Sequence, residues 1–174
     1  GACRAELMWR HALRISPMHP VGWMRFGRFL ASLPERTARA EDVYKNGLAN
    51  RPKDGELWLS YAILLGQQKG REDDAVAAYD QALTIFPDWV DARIRSVMHR
   101  IVAGVVDDPA QAGLSFMEEG IECKDPKLIV AGAWMGILYG EAEVQAACLT
   151  LLKQSLSECF GESMGFIRQD RNIA

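Results

Sequence analysis

Three histidines, four cysteines and a few adjacent carboxylates are the groups from which a hydrolytic, redox or metal centre would have to be built. His11, His19 and His99 stand in no HExxH and in no pair at metal-ligand spacing. His11 and His19 flank Pro17, where a turn sets them on the surface. Cys3, Cys123, Cys148 and Cys159 include no CxxC, whereas metal clusters and redox dithiols need ligands within a turn or a tight loop. Cys148 and Cys159 fall in one helical pattern, about 16 Å of rise apart, so they cannot bridge across a continuous helix. All four read as reduced, small, core-like residues. That points to a reducing compartment, the cytoplasm, with the periplasm as the alternative for a disulfide-free domain. Asp73-Asp74, Asp107-Asp108 and Glu118-Glu119 sit at loop-to-helix junctions or on solvent faces, where negative charge near a helix start is favoured by the macrodipole. No GxGxxG follows a strand, and neither GxxxxGK[ST] nor GxSxG occurs. The expectation is a chain without a catalytic centre, cofactor or metal site of its own.

The elements must therefore position a binding surface. The 174 residues suffice for one domain or a short array, and 49% hydrophobic with 25% charged residues is ordinary globular composition. A net charge of −3 lacks the Lys and Arg surplus on which general nucleic-acid binding depends. The longest apolar run, Leu128 to Tyr139, is shorter than the roughly twenty residues a membrane span needs. The sequence begins Gly1-Ala2 rather than with Met, as expected of a piece of a longer protein from which a targeting signal would have been lost.

One internal period organises the chain. A shift of thirty-five residues takes Trp23 to Trp58, Phe26 to Tyr61, Gly27 to Ala62, Leu30 to Leu65, Ala40 to Ala75, Tyr44 to Tyr79, Gly47 to Ala82 and Pro52 to Pro87. One period back, Ala5, Trp9, Ala12 and Pro17 match Ala40, Tyr44, Gly47 and Pro52. Within a unit, Trp58-x2-Tyr61-Ala62-x2-Leu65 is an apolar stripe at helical spacing. Gln67 to Glu72, containing Gly70, makes a turn; Ala75-x3-Tyr79-x2-Ala82 is a facing stripe, and Pro87 ends it. Each unit is a helical hairpin with one face it cannot bury alone, so units are expected to stack.

This pattern resembles the tetratricopeptide repeat: W-x2-[FY]-[GA]-x2-L, then A-x3-Y-x2-[GA], then Pro. Val21 to Pro52 and Glu56 to Pro87 carry it in full, and Ala5 to Pro17 carries only its second helix. The period exceeds the family's usual thirty-four by one residue. The HAT repeat is a second choice, but it expects an acidic residue where this chain has Leu30 and Leu65. The resemblance implies an all-α, right-handed α-solenoid of stacked antiparallel hairpins, with about four repeats and roughly nine helices. As one domain over 1–174 it divides into a half repeat 3–17, repeats 20–52 and 55–87, degenerate repeats 88–123 and 126–160, and a tail 161–174. The half repeat should expose a face that a preceding repeat would cover, and Trp58→Ala should open a core cavity costing roughly 3–5 kcal/mol.

After Pro87 the pattern weakens. Trp89 opens a helix to about Val102 whose stripe is Ile94, Val97, Met98, Ile101 and Val102; Arg93 now holds the tryptophan position, so either the stripe has rotated by a residue or the repeat has drifted. Asp108-Pro109 and Asp125-Pro126 each cap a further helix. Lys127 to Tyr139 is apolar nearly all round and is expected to be buried on several sides. Gly132, Gly136 and Gly140 clear one face, for close packing inside the array or for self-association. The last long helix should turn Val144, Cys148, Leu151, Leu152 and Leu156 inward and stop at Gly161.

Carried across from the family, the concave surface of first helices would hold a peptide or partner helix. The residues implied are Met24, Arg25 and Arg28 in one unit, Leu59, Ile63 and Gln67 in the next, and Ile94, Arg95 and Met98 in the third. Apolar side chains would take the nonpolar side of a protein or peptide ligand and the arginines its acidic groups. The same apolar residues would instead pack between units if the helical phase were off by one residue. Some family members clamp a C-terminal carboxylate through Lys and Asn, and the matching positions here lack both. The first expectation is a non-catalytic protein–protein interaction scaffold, with self-association through the exposed terminal helix or the Gly132, Gly136 and Gly140 face as an additional contact. The alternatives are a substrate-positioning or regulatory region of a larger enzyme such as a transferase, and a HAT-like assembly module in RNA processing that binds protein rather than nucleic acid. No membrane partner is implied.

Overall fold

The structure, a computed structural model, describes the backbone of residues 2–19 and 21–169 and the side chains up to residue 155. It is all-α, without a strand among the described residues. Nine helices are described: α1 (Ala2–Ile15), α2 (Gly22–Ala31), α3 (Thr37–Asn50), α4 (Gly55–Gly66), α5 (Glu72–Ile85), α6 (Val90–Val102), α7 (Pro109–Cys123), α8 (Pro126–Tyr139) and α9 (Ala142–Gln169). The chain folds as two compact units, Gly1–Val105 and Val106–Ala174. The segment 88–123, expected as one degenerate repeat within a single domain over 1–174, is thereby divided. Its first helix, α6, belongs to the first unit and its second, α7, to the other.

In the first unit consecutive helices pack on one another from α1 to α6, and α2 also packs on α4. Positions thirty-five residues apart have matching surroundings. Leu30 and Leu65 are each 1% exposed, Ala40 and Ala75 are fully buried, and Tyr44 and Tyr79 are sealed. The indole N–H of Trp23 donates to the Pro17 carbonyl at 2.6 Å, and that of Trp58 to the Pro52 carbonyl at 2.9 Å. Glu6 pairs with Arg36 at 3.6 Å, and Glu41 with Arg71 at 3.2 Å. The loops match too: Glu35 (φ 63°) and Gly70 (φ 82°) both lie in the left-handed region. Glycine enters that region freely, whereas Glu35 is held there at a cost. Both tryptophans are only half-buried, so Trp58 is not the sealed core residue its motif suggests.

Close approach explains the small residues. The Tyr44 ring lies over Gly27, 2.5 Å from where a Cβ would sit, and Trp23 lies over Gly47 at 2.7 Å. Asp54 caps α4 by accepting from the Leu57 N–H at 3.0 Å, and Arg51 joins it at 2.8 Å while also donating to the Met18 carbonyl.

Helix α6 corrects the expected stripe. Its buried residues are Ala92 and Ser96, one and two periods after Leu57 and Gly22, and Tyr61 and Phe26. Ile94, Val97, Met98 and Ile101 are half-buried, and Val102 is exposed. The face has not rotated; the residue types on it have changed. His99 takes up the space, stacking on Tyr79 at 5.4 Å and covering Gly66. Burial, aided by Arg95, pushes the His99 imidazole below the usual histidine range.

In the second unit, Asp108 and Asp125 cap α7 and α8 by accepting from the Gln111 N–H at 3.0 Å and the Lys127 N–H at 2.8 Å, with proline next in each case. Helices α7 and α8 pack backbone to backbone: a Cβ on Gly132 would fall on the Gly113 carbonyl oxygen, and one on Gly120 would lie 2.7 Å from the Ile129 nitrogen. Gly136 faces the Cys148 sulfur of α9, while Gly140 ends α8 with extended backbone (φ −79°, ψ 158°). The glycine face is thus filled from within the unit. A small core of Met117, Ala133 and Cys148 is flanked by Val144, Leu151 and Leu152. Helix α8 is covered by α7 and α9 but not all round: Val130, Trp134 and Leu138 form an exposed stripe. The expected stop at Gly161 is also corrected, since α9 continues to Gln169; one glycine costs a helix only about 1 kcal/mol. Cys3, Cys123 and Cys148 are free thiols, but only Cys148 is core-like; Cys3 and Cys123 are exposed. The placement of Leu156, the state of Cys159 and the tail from 170 lie outside the described residues.

Candidate binding groove of the first unit

Two neighbouring first helices, α2 and α4, leave a trough between their outward faces, and the start of α6 adds to it. The trough is a groove of about 660 Å³. Six of the nine residues read from the sequence line it: Met24 and Arg28 from α2, Leu59, Ile63 and Gln67 from α4, and Arg95 from α6. Arg25, Ile94 and Met98 do not. Arg25 is exposed to solvent, while Ile94 and Met98 are half-buried on α6.

Sequence reasoning missed Tyr44, Glu56 and Trp89, which also line the groove. Tyr44 belongs to the second-helix stripe, and only the glycine at position 27 lets its ring reach through to the groove side. Trp89 precedes α6 at a position with no aromatic counterpart one period earlier, where Asp54 stands. The aromatic content of the Pro87-Asp88-Trp89 turn was the one available signal.

The groove has an apolar floor of Met24, Leu59 and Ile63, with Arg28 and Arg95 exposed at its edge and Glu56 as an opposing charge. Neither arginine has a carboxylate partner among the described residues. Burial pushes the Tyr44 hydroxyl up to about 12, with Arg28 pulling it weakly the other way. Between pH 10 and 12 the unfolded chain has released this proton and the folded chain keeps it. The stabilisation is therefore complete below pH 10 and is lost as pH rises, at about 1.4 kcal/mol per unit. Burial also raises Tyr61 and Tyr79, which add loss of the same sign. Tyr44→Phe should flatten the decline in unfolding midpoint from pH 10 to 12; a slope equal to that of the unsubstituted chain would refute the assignment.

The groups with catalytic or metal-binding chemistry stay apart. His11 and His19 are exposed, and the His19 Nδ1 accepts from the Val21 N–H at 3.4 Å. Asp74 pairs with Arg71, and Asp108 is a helix cap. Hydrogen bonds from Lys45 foremost, then Arg71, hold Glu41 below the usual carboxylate range. Among the described residues no three His, Cys, Asp or Glu side chains come close enough to hold a metal ion, and no helix is long and apolar enough to cross a membrane. No protein-family model matches the chain, and no curated protein does either.

Proposed function

We propose that the first unit is a non-catalytic protein-interaction module of the tetratricopeptide kind, acting in the cytoplasm, with α1 to α6 as consecutive turns of a right-handed solenoid. The matched tryptophan, glutamate–arginine and left-handed loop positions, thirty-five residues apart, support the repeat reading. The observation that carries the functional reading is the groove, where six side chains implied by the resemblance line an apolar floor edged by two arginines without a carboxylate partner among the described residues. Its ligand is a peptide or helix of a partner protein that presents apolar and acidic side chains together. The floor removes nonpolar surface from water, and the arginines select carboxylates through charge-assisted hydrogen bonds.

The test is capture of partner from lysate by the chain and by its Arg28→Glu variant, followed by measured binding of the captured protein. Arg28 is exposed, so the variant should unfold with an unchanged midpoint and bind at least tenfold more weakly, the loss of about 1.4 kcal/mol expected of a charge-assisted contact. Equal capture by both chains would refute the groove as the binding surface.

A further inference from the structure

A second hollow in the first unit, of about 430 Å³, is built around the aromatic pair Phe86 and Trp89. Their ring centroids are 5.9 Å apart and the planes meet at 85°, so the two rings form a corner. Phe86 cannot fold away from it. Its ring lies on the backbone of α4, with Cδ2 only 2.5 Å from where a Cβ on Gly55 would be, yet half of the side chain is open to solvent. The remaining lining is Glu56, Ile85, Pro87 and Asp88, with no basic residue.

The charges are unspent. Among the described residues neither the Glu56 nor the Asp88 carboxylate makes an ion pair or hydrogen bond. Each lies near a helix start, where the macrodipole alone favours an acid. The dipole does not account for an aromatic corner held open beside them. An anionic ligand would meet two like charges here, and a wholly apolar one would strip water from the carboxylates without return. A cation on an alkyl stem satisfies both walls: its charge lies on the ring face left free by the edge-to-face pair, beside the carboxylates, and its methylenes cover the Ile85 and Pro87 side.

We propose that this hollow is a binding site for an alkylammonium group, seated at the corner of Phe86 and Trp89 on the ring face that their edge-to-face pairing leaves free, with Glu56 and Asp88 as counter-charges. It shares Glu56 and Trp89 with the groove but does not depend on the groove's having a protein partner.

The site is tested by the indole N–H resonance of Trp89, assigned through Trp89→Phe, in titrations with Nα-acetyl-lysine methylamide, its trimethylated form and choline. The neutral isostere 3,3-dimethylbutanol is the control. Because the corner is open to solvent, saturable shifts in the millimolar range are expected with the ammonium compounds and none with the alcohol. Glu56→Gln and Asp88→Asn, both at exposed positions, should each weaken binding by up to about fivefold and added salt should do the same. Tighter binding of the lysine derivatives would assign the ammonium to a protein side chain, and tighter binding of choline to a small molecule. No shift with any ammonium compound, or an equal shift with the alcohol, would overturn the proposal.

Discussion

Tyr79→Ala is expected to cost the first unit about 3–5 kcal/mol, the range for emptying a sealed aromatic site. The side chain is 0% exposed, stacks on His99 at 5.4 Å and belongs to the continuous core that also holds Leu65 and Ala75. Its neighbours are held by helix backbones and cannot collapse into the space. Trp58→Ala should cost less, about 2 kcal/mol, because that indole is half-buried and the atoms removed were partly hydrated already. The ordering is the informative result. It reverses the weight that the sequence puts on the tryptophan, and chemical denaturation of the two variants measures it directly. A Trp58→Ala variant less stable than Tyr79→Ala would place the core on the wrong face of these helices.

Gly132→Ala should destabilise the second unit by about 2 kcal/mol, although alanine is the better helix former. The helix-propensity gain is about 1 kcal/mol, and forced overpacking costs up to about 3. The upper end applies because the added methyl meets the Gly113 carbonyl oxygen and the Met117 nitrogen, which are backbone atoms with no rotamer to change. Helices α7 and α8 would have to separate along their whole contact, which includes Gly120 against Ile129. A midpoint equal to or above that of the unsubstituted chain would show that the helices are not in backbone contact.

The two predictions mark where sequence reasoning is strong and where it fails. The thirty-five-residue shift located α2 to α5, because a helical hairpin that must bury one face against its neighbours forces the same residue sizes to recur. The Asp-Pro pairs at 108–109 and 125–126 located two further helix starts, because capping and the proline ring act within a few residues. Met24, Arg28, Leu59, Ile63, Gln67 and Arg95, which line the trough, are implied only by the resemblance, which carries the outward face of the first helices across to this chain.

Register in α6 was not legible. Ala92 and Ser96 hold the positions of Leu57 and Tyr61, and a search for large apolar side chains finds its stripe elsewhere on the helix. The open face of α8 was hidden similarly, since a helix apolar all round gives no sign of which side its neighbours leave bare. The fate of Gly161 depended on nothing local that marks a stop.

Local sequence was sufficient for helix starts, spacing and the pairing of small with aromatic residues, because each is decided by atoms within one or two turns. Tertiary contact alone assigned α6 and α7 to different units, brought Glu56 beside the Phe86 and Trp89 turn, and turned Trp134 toward solvent. Each of those depends on where a distant backbone comes to rest, and no spacing along the chain encodes that.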